Sequence, residues 1–306
     1  MRLVVMGAGG VGGYFGARLA RGGEAVTFVA RGEHLHAIRR DGLRIRSTIE
    51  GEYTVAATAA EEVTGLPTAD AVLLCVKAFD TEAALERVRP VVGPATAVLS
   101  LQNGVDSAER IDTVLGPGHA VGGAAYVFAA IEAPGVIGHR FAGRVVLGEL
   151  DGTPRPRSEH LREAFARTGV LDELASDIRR VLWEKYLLIC AQAGMTGLTR
   201  CPSGVLRATP ETWRMYRVIL DELAALAKAA GIALGADAVD TIMGIAAGLD
   251  PATSSSLHHD LLAGKRLEIE ALHGHAVRLG ERLGVPLPTV FAVYAALKPH
   301  AEGRPR

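Results

Sequence analysis

RLVVMGAGGVGGYFGARLAR, residues 2–21, decides how this chain is read. Arg2–Met6 is a short apolar run of strand character, and Tyr14–Arg21 has the apolar periodicity of an amphipathic helix. Between them stands Gly7-Ala8-Gly9-Gly10-Val11-Gly12. Gly7 permits a tight turn off the strand, Gly9 lets backbone approach a pyrophosphate, and Gly12 lets the helix lie close on a sheet. Gly13 and Gly16 extend the same small-residue face. The first helical N–H groups, with the positive end of the helix dipole, would hold phosphates. A bare GxGxxG is weak, but here the required strand precedes it and the required helix follows. The stretch therefore predicts a Rossmann-like dinucleotide-binding α/β domain, with Gly7, Ala8, Gly9, Gly10, Val11 and Gly12 as cofactor-binding residues.

The next strand, Ala25–Val29 (AVTFV), bears on which dinucleotide. An NAD site usually ends this strand in Asp or Glu for the ribose 2′-hydroxyl. This chain has Ala30-Arg31-Gly32. A carboxylate would repel a 2′-phosphate, whereas a guanidinium can pair with one bidentately. Arg31 points to NADP(H), against the plainer reading of a solvated arginine.

Composition narrows the rest. The chain has 306 residues, enough for two cores. Lysine and arginine (33) balance aspartate and glutamate (34), for a net charge of −1. No basic field or aromatic-laced basic run points to nucleic acid. No uninterrupted apolar run reaches membrane-spanning length. The sequence enters its first strand at once, so no signal or transit peptide is expected. Cys75, Cys190 and Cys201 form no CxxC, which suits a reducing cytoplasm. Cys75 reads as inert core. Ten histidines raise the question of a metal, yet His258-His259 and His273/His275 diverge on a helix. No HExxH or Cys/His spacing is present, so no metal site is expected.

Strands and helices alternate through the first half. Leu43–Ser47 and Tyr53–Ala57 read as a hairpin. Ala71–Val76 and Ala97–Leu101 are continuous apolar runs, as strands covered on both faces require. Helices near Asp80 and Asp106 have aspartate N-caps available. Val121–Val127, Gly135–Arg140 and Arg144–Leu150 form an antiparallel, glycine-punctuated group. From Asp177 strand signals stop. Asp177–Leu198, Pro210–Ala230, Asp237–Ala247, Ser256–Leu283 and Pro288–Leu297 carry helical periodicity, with Gly264 expected to bend the fourth without ending it. Thr209 and Leu287 precede prolines that start helices. The Leu/Ala stripe of Leu220–Ala230 is core or a subunit interface, so a homodimer is among the expectations. Ala301–Arg306 is expected to fray. The expected division is a dinucleotide domain, 1–176, and an all-helical substrate and catalytic domain, 177–306, with a cleft between them.

Three constellations could carry chemistry. Lys77 and Asn103 follow the fourth and fifth sheet strands at the carboxyl edge, where ligands of open α/β sheets lie. Either could equally be a solvated turn residue. In the WEKY segment, Lys185, Ile189, Gln192, Ala193 and Thr196 share one helical stripe. A lysine there either snorkels outward, the commoner arrangement, or stands in a pocket as a proton donor. Ser256 fits a helix N-cap that could also meet an anionic group, and Glu268 is placed three turns along the same helix.

As a whole the pattern resembles the ketopantoate reductase (2-dehydropantoate 2-reductase) family over nearly the entire chain. The resemblance is carried by GAGGVG, CVKAFDT, LQNGVD, WEKYLLICAQAGMTGLT and SSSLHHDLLAGKRLEIEALHG, five ordered segments at compatible spacing. It implies NADPH-dependent reduction of a small-molecule 2-oxo acid in pantothenate biosynthesis. It implies Lys185 as general acid and Glu268 as the carboxylate holding that lysine and the cofactor. Ser256 and Asn103 would contact substrate, and Lys77 and Asn103 would lie at the cofactor. The chain departs from the family pattern where asparagines usually follow the lysine by four and eight positions. Ile189 and Ala193 stand there, with Gln192 one position off, and His273-Gly274 replaces a usual Asn-Gly. A pocket remodelled for a less polar 2-oxo acid or ketone is thus an alternative. A non-catalytic NADPH sensor is another, disfavoured because a sensor needs no proton donor.

Overall fold

A computed structural model describes residues 1–170 and 172–305. The chain divides into two compact units, Met1–Gln102 with Asp106–Val181, and Asn103–Val105 with the residues from Leu182 onward.

The first unit runs β1 (Arg2–Met6), α1 (Gly10–Arg21), β2 (Ala25–Val29), α2 (Gly32–Asp41), β3 (Leu43–Ser47), β4 (Gly51–Val55), β5 (Thr58–Ala60), β6 (Ala71–Leu74), α3 (Thr81–Val88), β7 (Ala97–Ser100), α4 (Ser107–Leu115), β8 (Ala120–Ala133), β9 (Val136–Gly148), α5 (Pro156–Ala166) and β10 (Asp172–Leu174). The sheet order is β4-β3-β9-β8-β7-β6-β1-β2-β5, with β10 on β9. Six of these strands, β8-β7-β6-β1-β2-β5, pair in parallel, and the long β8–β9 hairpin is antiparallel. Strand order reverses between β1 and β6, the switch point at which open α/β sheets bind ligands.

Side-chain alternation explains the layers. Leu3 and Val5 of β1 join a core with Tyr14, Phe15 and Leu19 of α1 and Leu161 and Phe165 of α5. Val4 and Met6 point the other way, into a core with Ala84, Leu85 and Val88 of α3 and Ile111 of α4. Both faces are covered, as the unbroken apolar runs require.

Several expected boundaries move. The three glycine-punctuated segments between Val121 and Leu150 are two long strands, because the glycines sit within the β8–β9 ladder rather than ending it. β5 and β10 are three-residue edge strands without a periodic signal. Cys75 lies one residue beyond β6 and is half-buried. Asp80 and Asp106 occupy N-cap positions without side-chain cap bonds.

The helical elements are α6 (Ile178–Thr199), α7 (Ser203–Ala208), α8 (Pro210–Ala229), α9 (Ala238–Gly248), α10 (Ser256–Leu262), α11 (His273–Leu283) and α12 (Pro288–Leu297). Within the second unit the core gathers Leu187, Cys190 and Met195 of α6, Tyr216, Ile219 and Leu223 of α8, and Val290 and Val293 of α12. The Leu220–Ala230 stripe is core: Leu220, Leu223, Leu226 and Ala227 are fully buried within this unit. The Glu222 carboxylate of α8 accepts from the Thr289 and Val290 N–H groups, each at 2.9 Å, and so caps α12.

The expected single helix Ser256–Leu283 is corrected. α10 ends near Ala263, Gly264 takes φ +65°, and only a short 3₁₀ turn, Glu268–Glu270, intervenes before α11. A left-handed glycine ends a helix rather than bending it. The tail expected to fray is anchored at its first residue. Leu267 N–H donates to the Ala301 carbonyl at 2.9 Å and Ala301 is buried; Arg306 lies outside the described residues.

Candidate active site

In the first unit the glycine loop leaves β1 with Gly7 at φ +101°, a conformation that favours glycine. A Cβ on Gly12 would stand 2.1 Å from the Gly7 carbonyl oxygen, so the helix start can close on the loop only without one. Around Gly9 the space is open, with no atom within 4 Å of a Cβ placed there. Gly9 is the N-cap of α1, no side chain caps that end, and no acidic residue occupies its first turn. Uncapped first-turn N–H groups beside open space fit a pyrophosphate.

α1 is held from behind. The Tyr14 hydroxyl donates to the Glu50 carboxylate at 2.7 Å, Arg18 pairs with the same carboxylate, and the Tyr14 ring stacks on His139 at 4.0 Å. Burial, then the Glu50 bond and charge, push the Tyr14 hydroxyl far above its ordinary range.

Arg31 is exposed at the N-cap of α2, two residues beyond the end of β2. Lys77 is exposed, three residues beyond the end of β6, at the start of the short 3₁₀ turn Ala78–Asp80. Its loop is pinned by Gln102, whose amide donates to the Val76 carbonyl at 2.9 Å and to Thr81 Oγ1 at 2.8 Å. The Thr81 hydroxyl donates onward to the Ala78 carbonyl at 2.9 Å. Gln102 in the QNG segment is thus a structural tie. Asn103 belongs with the second unit and is half-buried.

In the second unit Lys185 is 7% exposed. Its side chain does not snorkel to solvent, contrary to the commoner arrangement for its spacing. Burial lowers its pKa to about 8, while the Glu268 carboxylate pulls it upward. Glu268 is half-buried and opens the 3₁₀ turn, so it stands on a separate element and not on the helix of Ser256. Ile189 is half-buried and Ala193 is buried on the stripe that carries Lys185.

The amide of Gln192 is engaged within the helical unit. Its Nε2 donates to Ser203 Oγ at 2.7 Å and its Oε1 accepts from the Tyr216 hydroxyl at 3.4 Å, so both ends face α7 and α8. His273 is fully buried against α6, where its Nε2–H donates to the Cys190 carbonyl at 2.9 Å. A Cβ on Gly194 would lie 2.5 Å from that nitrogen, so Gly194 makes room for the ring. Burial lowers the His273 pKa to about 4, which keeps the ring neutral.

The cap expected of Ser256 belongs to Ser255. His258 N–H donates to Ser255 Oγ at 3.0 Å, and Ser255 Oγ lies 2.7 Å from Thr196 Oγ1. Thr196 donates its own proton to the Gln192 carbonyl at 2.6 Å, so Ser255 donates to Thr196. Ser256 is the exposed first residue of α10. Three consecutive serines gave no basis for choosing among them.

Among the described residues, no three His, Cys, Asp or Glu side chains group to hold a metal ion. No helix described is long and apolar enough to cross a membrane.

Residues 3–152 match the family model described as ketopantoate reductase PanE/ApbA, and residues 177–301 match its C-terminal counterpart. The 2-dehydropantoate 2-reductase of Mesorhizobium japonicum is 30% identical over 320 residues, covering 97% of each chain. The crystal structure of a PanE/ApbA family ketopantoate reductase from Ralstonia eutropha JMP134 superposes with TM-score 0.90 at 34% identity, covering 98% of each chain. A D-mandelate dehydrogenase solved with NADH and anilino(oxo)acetate shares the fold, with TM-score 0.90 at 22% identity over 98% of each chain. Glycine loop, two-unit architecture and sequence agree: the chain belongs to the ketopantoate reductase family, oxidoreductases that act on CH–OH groups with a nicotinamide dinucleotide.

Proposed function

We propose that this protein reduces a 2-oxo acid to the corresponding 2-hydroxy acid with NADPH, 2-dehydropantoate to pantoate being the first candidate. The observation that carries the reading is the buried Lys185, with a pKa near 8 and the Glu268 carboxylate acting on it. An ammonium with that pKa is still largely protonated at neutral pH and gives up its proton more readily than an ordinary lysine. Bound dinucleotide supplies the hydride that the 2-oxo carbon receives. Lys185 polarises the carbonyl oxygen and protonates it as negative charge develops there. Glu268 keeps Lys185 charged and orients it, and Ser256 and Asn103 position the substrate. The family's use of a nicotinamide dinucleotide supports Gly7–Gly12 as the pyrophosphate loop. Lys77 belongs at the cofactor by its place beyond β6.

Arg31 selects NADP(H) in this reading. It is an exposed guanidinium beyond the end of β2, and no carboxylate occupies Ala30 to favour a ribose hydroxyl. The division of labour follows the two units, dinucleotide on the first and proton transfer on the second. A cytoplasmic location and a homodimer belong to the same proposal, the former supported by three free cysteines.

A second reading has its own observation. Ile189 and Ala193 present no hydrogen-bonding group on the Lys185 stripe, and the amide of Gln192 is engaged elsewhere. A 2-oxo acid with an apolar side chain would lose nothing there, whereas a hydroxylated one would leave polar groups unpaired. NADPH oxidation with 2-dehydropantoate beside apolar 2-oxo acids separates the two. Saturable turnover of 2-dehydropantoate supports the first reading, and turnover of apolar substrates alone supports the second. NADPH binding with no turnover of any carbonyl compound would contradict both.

A further inference from the structure

The glycine loop is gripped by a residue outside it. Gly135, in the turn of the β8–β9 hairpin, donates its N–H to His34 Nδ1 at 3.0 Å. An acceptor Nδ1 fixes the neutral tautomer with the proton on Nε2, and Nε2 lies 2.8 Å from the Ala8 carbonyl oxygen. The imidazole therefore donates to Ala8 and accepts from Gly135, linking α2, the dinucleotide loop and the hairpin. The other end of Ala8 is held as well, since its N–H donates to the Val29 carbonyl at 3.2 Å. The hairpin lies directly over the loop: a Cβ on Gly10 would stand 2.0 Å from the Ala129 carbonyl oxygen. A Cβ on Gly135 would stand 2.9 Å from the Ala37 side chain, so the hairpin turn rests on α2.

Peptide planarity gives this grip a consequence. In a trans peptide the C=O and N–H lie in one rigid plane and point in opposite directions within it. Holding the Ala8 carbonyl toward His34 fixes the Gly9 N–H on the opposite side. Gly9 is the residue with open space around it. The Gly9 N–H is then aimed before any phosphate arrives, and a preset donor lowers the ordering cost of binding.

We propose that His34 is a positioning residue for the dinucleotide: through the Ala8 carbonyl it orients the Gly9 N–H toward the pyrophosphate. The inference rests on reading Gly7–Gly12 as the dinucleotide loop. His34 bonds backbone groups of Ala8 and Gly135, so in this proposal its effect falls on cofactor affinity and not on the chemical step.

The test is NADPH titration by fluorescence on the full chain, together with steady-state kinetics, for wild type, His34→Phe, His34→Asn and His34→Gln. His34→Phe fills the volume with no donor. His34→Asn reaches toward Gly135 but not Ala8, and His34→Gln places an amide donor near the Nε2 position. Expected are Kd values for NADPH raised about tenfold in the Phe and Asn variants, kcat at saturating NADPH within about twofold of wild type, and recovery of most of the affinity with Gln. Should the Phe variant fail to fold, the Asn–Gln pair decides alone. Equal Kd values across the folded variants, or a Gln variant no tighter than Asn, would overturn the proposal while leaving the loop assignment intact. Wild-type protein that binds neither NADPH nor NADH would overturn the loop assignment itself, and the proposal with it.

Discussion

Lys185 and Glu268 belong to different elements of the helical unit, α6 and the 3₁₀ turn before α11, yet the carboxylate acts on the buried ammonium. Burial lowers the Lys185 pKa to about 8 against the upward pull of Glu268. Desolvation and charge thus oppose each other at the ammonium, and in the proposed role they set its working range as a proton donor.

If Lys185 is the proton donor proposed here, kcat should be sustained below about pH 8 and fall as pH rises through it. Replacing Lys185 with Met should lower kcat by about 10²–10⁴ with NADPH affinity retained. Single-turnover measurements across pH 6–10 check the limb, and a pH-independent rate would remove Lys185 from the role.

The same residue has a sign-defined effect on stability. Its folded pKa lies below the ordinary lysine value, so the folded state resists protonation. The resulting penalty is fully present below about pH 8 and is relieved as pH rises toward the unfolded value. Lys185→Met should therefore be at least as stable as wild type at pH 7, with Tm unchanged or raised by about 2–5 °C. Thermal melts at pH 7 check this, and a large drop in Tm would mean that the ammonium stabilises the fold.

Glu268→Gln removes the upward pull on Lys185. The basic limb of the pH–rate profile should move to lower pH, by about one unit. A limb that stays in place would show that Glu268 does not act on the lysine.

Arg31→Ala should weaken NADPH about tenfold or more while leaving NADH nearly unchanged, because only the 2′-phosphate is lost to the guanidinium. Titration with both cofactors checks it, and an unchanged NADPH to NADH ratio would contradict the NADP(H) assignment.

Restoring amides at Ile189→Asn and Ala193→Asn should raise kcat/KM for 2-dehydropantoate relative to apolar 2-oxo acids, by about tenfold. If the ratio does not move, those two positions do not set substrate choice.

Legibility followed the range of the signal. The β1–glycine–α1 unit was readable because strand pattern, glycine spacing and helix pattern fall within 20 consecutive residues. The burial of Lys185 was not, because spacing alone leaves a lysine free to snorkel, and packing around α6 decides otherwise. Gly264 carries no mark that separates a bend from a helix end; its left-handed φ does. Ser255 could not be told from Ser256 within three serines, because the Thr196 partner lies 59 residues away. His34 had no local signal, since one of its partners is 101 residues distant.

The most direct test of the central claim is steady-state NADPH oxidation by wild type and Lys185→Met, with 2-dehydropantoate and a set of apolar 2-oxo acids as substrates. The account predicts saturable turnover of at least one 2-oxo acid by wild type and a loss of about 10²–10⁴ in kcat for the variant, which still binds NADPH. Near-equal turnover by the two proteins, or no 2-oxo acid reduced by wild type, would contradict it.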